Sequence, residues 1–139
     1  MQQMLGWDGA IQGPPAKKSR GRSGRPVCDN RRPMPVRLVL STCPDAETAD
    51  RMARALVDER LAACVSTLPG VVSTYRWQGR VEQSREVQLL IKTSPDRLDA
   101  LTTRLLELHP YELPEVLVVE TAGGLAAYAD WVADQTRAD

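Results

Sequence analysis

The chain's single histidine and three carboxylates fall within ten residues, in the run ELHPYELPEV from Glu107 to Val116. Three chemistries compete for such a run. An imidazole among acids can ligate a metal, a histidine can exchange protons near neutral pH, or the segment can be a stiff connector. Pro110 biases His109 towards extended backbone, so a helix ending at Leu108 is expected. Pro114 stiffens the path into VLVVE. The plain structural reading is a rigid helix-to-strand connector whose His109 and Tyr111 satisfy local hydrogen bonds. Glu107, Glu112 and Glu115 sit at spacings that do not specify an acid/base pair.

A nucleophile to match the histidine is hard to find. No GxSxG motif is present, and Gly123-Gly124 is too short for a phosphate-binding loop. The cysteines, Cys28, Cys43 and Cys64, include no CxxC pair, so neither a zinc ribbon nor a thioredoxin-type site is written here. Their odd number, wide spacing and lack of a secretory leader predict reduced thiols in a cytoplasmic protein. Cys43 and Cys64 lie in or beside apolar strands, where a thiol is ordinarily inert packing. The loop STCPDAE holds one cysteine, which argues against a copper(I) chaperone built on a thiolate pair. Lys92 ends a strongly apolar strand, and a pairing with one of the acids is expected of it.

These residues must be held by one domain. The chain has 139 residues, 42% of them hydrophobic, and no phenylalanine, so Val, Leu and Ala must build the core. Formal charge is zero but uneven. Residues 1–34 carry seven Lys and Arg against two Asp, and the remainder carries a net charge of −5. An acidic body argues against nucleic acid as the main partner, and no apolar run approaches the ~20 residues that cross a bilayer. Residues 1–34 also hold five of the nine glycines without an apolar period. Disorder is expected there, with a globular domain over 35–139. Translation starting at Met34 is the favoured explanation; a targeting peptide and a nucleic-acid arm are alternatives.

The body reads as alternating elements. VRLVLST (36–42) is a strand. Pro44 and Asp45 open a helix with Ala49, Met52, Ala53, Leu56 and Val57 on its apolar stripe. LAACVSTL (61–68) and VVSTYRW (71–77) form one long strand, kinked at Pro69-Gly70. WQGR is a turn with Gly79 available for positive φ, and residues 81–93 return. Ser94-Pro95-Asp96 starts a second helix with Ser94 as its cap, and Leu98, Leu101, Leu105 and Leu108 inward. VLVVET (116–121) is the last strand. Residues 123–135 close the chain as a helix with Leu125, Tyr128, Trp131 and Val132 inward. The order β-α-β-β-α-β predicts an α+β, ferredoxin-like fold with an extra C-terminal helix.

The segments LVLSTCPD, DERLAACVS, PGVVSTYRWQGRVEQSREVQLLIKT and LHPYELPEVLVV resemble the CutA family of divalent-cation tolerance proteins, from about Val36 to Trp131. The resemblance implies a ferredoxin-like subunit, akin in architecture to PII-type signalling proteins, in a tight homotrimer. The 71–93 hairpin would then reach a neighbouring subunit, with Tyr75 and Trp77 as aromatic anchors near its tip. It implies a role in the response to metal ions, copper among them, through a metal ion or small ligand bound at clefts between subunits, without catalysis. Tyr75, Trp77, Lys92, His109, Tyr111 and Glu115 are the cleft candidates; an enzyme using a pocket around His109, Tyr111 and Lys92 is the alternative. The family's proposed copper ligands are a cysteine late in the first strand and histidines just before PY. Here those positions hold Ser41, Leu108 and His109. Only His109 is retained, with Cys43 two residues beyond Ser41 as a substitute. Weak copper binding is therefore expected, with no metal required for folding.

Overall fold

The computed structural model describes residues 34–139. The expectations for the basic leader, Cys28 included, lie outside the described residues. Seven elements follow in order: β1 (Arg37–Cys43), α1 (Ala46–Asp58), β2 (Cys64–Trp77), β3 (Arg80–Thr93), α2 (Leu98–Leu108), β4 (Leu117–Glu120) and α3 (Ala126–Gln135). A 3-10 turn, Pro95–Arg97, leads into α2. The strands form one antiparallel sheet in the order β2-β3-β1-β4. This is the α+β, ferredoxin-like arrangement with an added C-terminal helix.

Strand alternation divides the sheet into two faces. Val39, Ser41 and Cys43 of β1 pair with Ile91, Leu89 and Val87 of β3, and all six are buried. They pack with Met52 and Leu56 of α1 and with Leu101 and Leu105 of α2 to make the main core. Each Val, Leu, Ile or Met side chain among them contributes roughly 1.5–3 kcal/mol on removal from water. The intervening residues of β3, Glu86, Gln88, Leu90 and Lys92, point to the opposite face.

Local chemistry explains where the elements begin and end. Asp45 caps α1, its carboxylate accepting the Thr48 N–H at 2.7 Å. The helix ends where Arg60 takes a left-handed φ of 54°. The chain then reverses, with the N–H groups of Leu61 and Ala62 both donating to the Leu56 carbonyl. Leu61, Ala62 and Ala63 are buried ahead of β2, so that strand starts at Cys64 rather than 61. Val57, expected on the apolar stripe, is exposed beside this reversal.

β2 continues unbroken through Pro69-Gly70, with a bulge between Leu68 and Val71 and φ of 79° at Gly70. Its hairpin with β3 closes through Gln78 and Gly79, both at positive φ, the signature of a tight primed turn whose twist suits the flanking strands.

Two expectations near the C-terminus need correction. Ser94 does not cap the helix with its side chain; its hydroxyl pairs with Thr136 Oγ1 at 2.8 Å, tying the end of α3 to the β3–α2 junction. In α3 only Val132 of the four expected residues is buried, together with Ala129; Leu125, Tyr128 and Trp131 are exposed. The small cluster beneath α3 is built from Val36 and Ala63, with Met34 packed against it. Such a narrow seat takes a short stripe and leaves the larger rings outside. Met34 belongs to the folded body, its N–H donating to the Thr121 carbonyl at 3.2 Å.

Candidate ligand-binding site

Pro110 ends α2 as the sequence predicts: His109 is extended, at φ −79° and ψ 132°, while its N–H still reaches the Leu105 carbonyl. Its ring is 8% exposed together with the backbone. The Tyr111 N–H donates to Nδ1 at 3.1 Å, so Nδ1 carries the lone pair. Nε2 is then the protonated nitrogen and donates to the Thr42 carbonyl at 2.8 Å. Both ring nitrogens are thus spent on backbone. His109 is a brace joining the end of α2, the proline loop and the end of β1.

The brace sets the path of the loop beyond it. Tyr111 stacks obliquely on His109, ring centroids 4.9 Å apart, and its hydroxyl donates to Glu86 Oε2 at 3.2 Å. Desolvation, then the nearby Glu86 carboxylate, push the phenol up to about 12, so it remains a donor at neutral pH. Glu86 is 7% exposed. A cleft of about 800 Å³ lies against this pair. Its floor is the open face of the sheet at Thr42, Glu86 and Gln88. The hairpin supplies Ser73, Tyr75, Arg76, Trp77 and Glu82, and the loop supplies residues 110–115. The amide of Gln88 is anchored by donation to the Ser41 carbonyl at 2.8 Å, and the Tyr75 hydroxyl by a hydrogen bond with Ser84. Oε2 of Glu115, also in the cleft lining, is buried with no hydrogen-bond partner among the described residues.

Of the six expected cleft residues, Tyr75, Trp77, Tyr111 and Glu115 line this one cavity. His109 stands behind it. Lys92 does not join them: it lies four residues beyond Gln88 on the same strand, roughly 13 Å away. Among the described residues it pairs with no acid; its ammonium donates to Ser66 Oγ, with Cys64 Sγ at 3.8 Å. The constellation of His109, Tyr111 and Lys92 is therefore not assembled in one pocket.

The donors considered for copper do not converge either. Cys43 is fully buried on the core face, its thiol donating to the Asp45 carbonyl at 3.4 Å, and burial raises its pKa. Ser41 faces the same core, its hydroxyl buried and without a partner. With both nitrogens of His109 engaged, this set does not suit a transition metal, which needs free lone pairs at one point. Among the described residues no group of three or more His, Cys, Asp or Glu is placed to hold a metal ion.

Glu86, Gln88, Glu82 and Arg76 were missed from sequence. A signal existed for two of them: Glu86 and Gln88 alternate with Val87, Leu89 and Ile91, so their side chains had to point away from the core.

The fold matches known proteins. The family model for the CutA1 divalent ion tolerance protein covers residues 37–135. The divalent-cation tolerance protein CutA of Pectobacterium atrosepticum is 44% identical over 110 residues, 79% of this chain and 94% of that protein. The crystal structure of CutA from Xylella fastidiosa superposes with a TM-score of 0.73 at 51% identity, over 74% of this chain and 99% of that one. A structure from Archaeoglobus fulgidus, described as a periplasmic divalent cation tolerance protein CutA, is 26% identical with a TM-score of 0.71, over 73% and 99% of the two chains. The chain has the α+β, ferredoxin-like fold of these structures. It belongs to the CutA family of divalent-cation tolerance proteins.

Proposed function

We propose that this protein is a non-catalytic homotrimer that takes part in the response to divalent cations by holding a small ligand in the cleft beside Tyr111. The observation that carries the reading is the buried oxygen of Glu115, unpartnered in a cavity edged with aromatic rings. Cavities of this size commonly receive small molecules.

Assembly is supported by the apolar surface left uncovered on one subunit. Val72, Tyr75, Trp77 and Val81 on the hairpin are exposed, as are Leu117, Val118 and Val119 of the edge strand β4. An apolar edge strand with unpaired backbone groups favours pairing with another chain. The hairpin tip lines the cleft as well, so a neighbour packed on it would close the cavity's outer side.

Copper enters this reading as a weak, adventitious ligand, and folding requires no metal. The acidic body favours neither nucleic acid nor a membrane surface as partner. Among the described residues no helix is long and apolar enough to cross a membrane. A cytoplasmic location is the reading supported by the free thiols of Cys43 and Cys64, with the periplasm of the archaeal relative as its competitor.

The test couples light scattering after size exclusion to a thermal-shift screen of metals and small molecules. A trimer mass at micromolar protein, with melting raised by a ligand and no turnover, is expected. A monomer mass defeats the assembly. Nanomolar copper that disappears in His109→Ala defeats the weak-copper reading.

A further inference from the structure

We infer that the cleft accepts an extended organic cation, a di- or polyamine, rather than a bare metal ion or an anion. This rests on the reading of the cleft as a ligand site and adds the chemical class of the ligand.

The charge balance of the lining comes first. Among the described residues, Glu82, Glu86, Glu112 and Glu115 contribute four carboxylates to the lining, and Arg76 is its single basic side chain. None of the four carboxylates takes part in an ion pair among the described residues. Two of them are more than surface acids. Glu86 is buried at 7% exposure, and the one hydrogen bond that holds it comes from a neutral phenol. One oxygen of Glu115, Oε2, is buried with no donor among the described residues. A desolvated carboxylate without a counter-charge is costly, and a cationic partner relieves that cost. An anionic ligand would add to it.

The spacing of the acids then selects among cations. A calcium or magnesium ion gathers six or more oxygens about one point. Among the described residues no three acidic groups are placed to hold one ion; the carboxylates are spread around a cavity of about 800 Å³. Separate acids around an elongated space match separate ammonium groups joined by methylenes. The rings of Tyr75, Trp77 and Tyr111 line the same space. Aromatic faces attract alkylammonium groups and cover their methylenes. A hydrated metal ion uses neither property.

Calorimetric titration of spermidine into the full-length protein tests the inference, beside choline, magnesium and ATP as probes of other classes. Saturable spermidine binding is expected, weakened at least about tenfold by Glu115→Gln and by Glu112→Gln, which corresponds to about 1.4 kcal/mol. Glu47→Gln, on the exposed start of α1, should leave it unchanged. Equal weakening by Glu47→Gln, or affinity untouched by Glu115→Gln, would mean that spermidine merely coats an acidic surface, and the inference fails. Preference for ATP or magnesium, lost in Glu115→Gln, would keep the site and overturn the ligand class. No heat with any probe would remove the support for the cleft as a ligand site altogether.

Discussion

The two faces of one sheet follow different rules. On the helix side, Val39, Leu89 and Ile91 meet Met52, Leu56, Leu101 and Leu105, and the face is complete within a single chain. On the open side, Glu86, Gln88, Tyr75 and Trp77 meet a cavity, and apolar hairpin residues remain uncovered. The same alternation of side chains thus makes a closed surface and an unfinished one. The first carries the buried core, and the second carries the candidate cleft.

The sharpest way to break this contrast is a core truncation. Leu105→Ala removes a fully buried side chain and should cost roughly 2–5 kcal/mol, read as an earlier midpoint in urea unfolding. A loss no larger than that of a surface change would show the core to be elsewhere. Trp77→Ala probes the other face. Its ring is 41% exposed in the single subunit. If neighbours cover it, the variant should shift mass from trimer towards monomer while far-ultraviolet circular dichroism stays unchanged. Unaltered mass and melting would show that the ring anchors nothing.

Tyr111→Phe joins the two faces through pH. A phenol raised to about 12 is protonated preferentially in the folded state. Its contribution is complete below the unfolded value near 10 and is lost as pH rises from there through about 12. Burial raises Tyr128 as well, so ultraviolet titration should show late tyrosine ionisation that is reduced but not abolished in Tyr111→Phe, and that variant should depend less on pH above 10. Ser41→Ala is a smaller effect of opposite sign. The hydroxyl is buried and unpartnered, so its removal should leave melting unchanged or raise it slightly; a marked fall would reveal a hidden partner. Deletion of residues 1–33 should change melting least, since Met34 N–H and its side chain already belong to the body.

Legibility from sequence differed between the faces in the same way. The branched alternation of Val87, Leu89 and Ile91 and the Leu101–Leu105 stripe announce a core directly, because period and burial coincide. The cleft is assembled from three segments far apart in sequence, and no local pattern records that Glu86 meets Tyr111. Aromatic residues near the hairpin tip and the proline-flanked loop could be singled out by type. Residue type alone does not tell that, within one chain, Lys92 shares a face with Gln88 but not its neighbourhood. The outward rings of α3 were misjudged because helical period locates a stripe without fixing which edge of it meets a narrow seat.

The bulge at Pro69-Gly70 decides which side chains reach the cleft. Before it, the even-numbered residues of β2, such as Ser66 and Leu68, share the open face with Leu90 and Gln88; after it the odd-numbered ones do, with Val71 opposite Glu86 and Tyr75 opposite Glu82. One extra residue inverts the parity of everything downstream. A strand of unbroken parity would have aimed Thr74 at the cavity and turned Tyr75 and Trp77, which now line it, away. The lining of the candidate cleft is therefore encoded partly as a count, one residue more on β2 than on β3, and a single-codon deletion at Gly70 would rewrite it without altering any side chain that lines it.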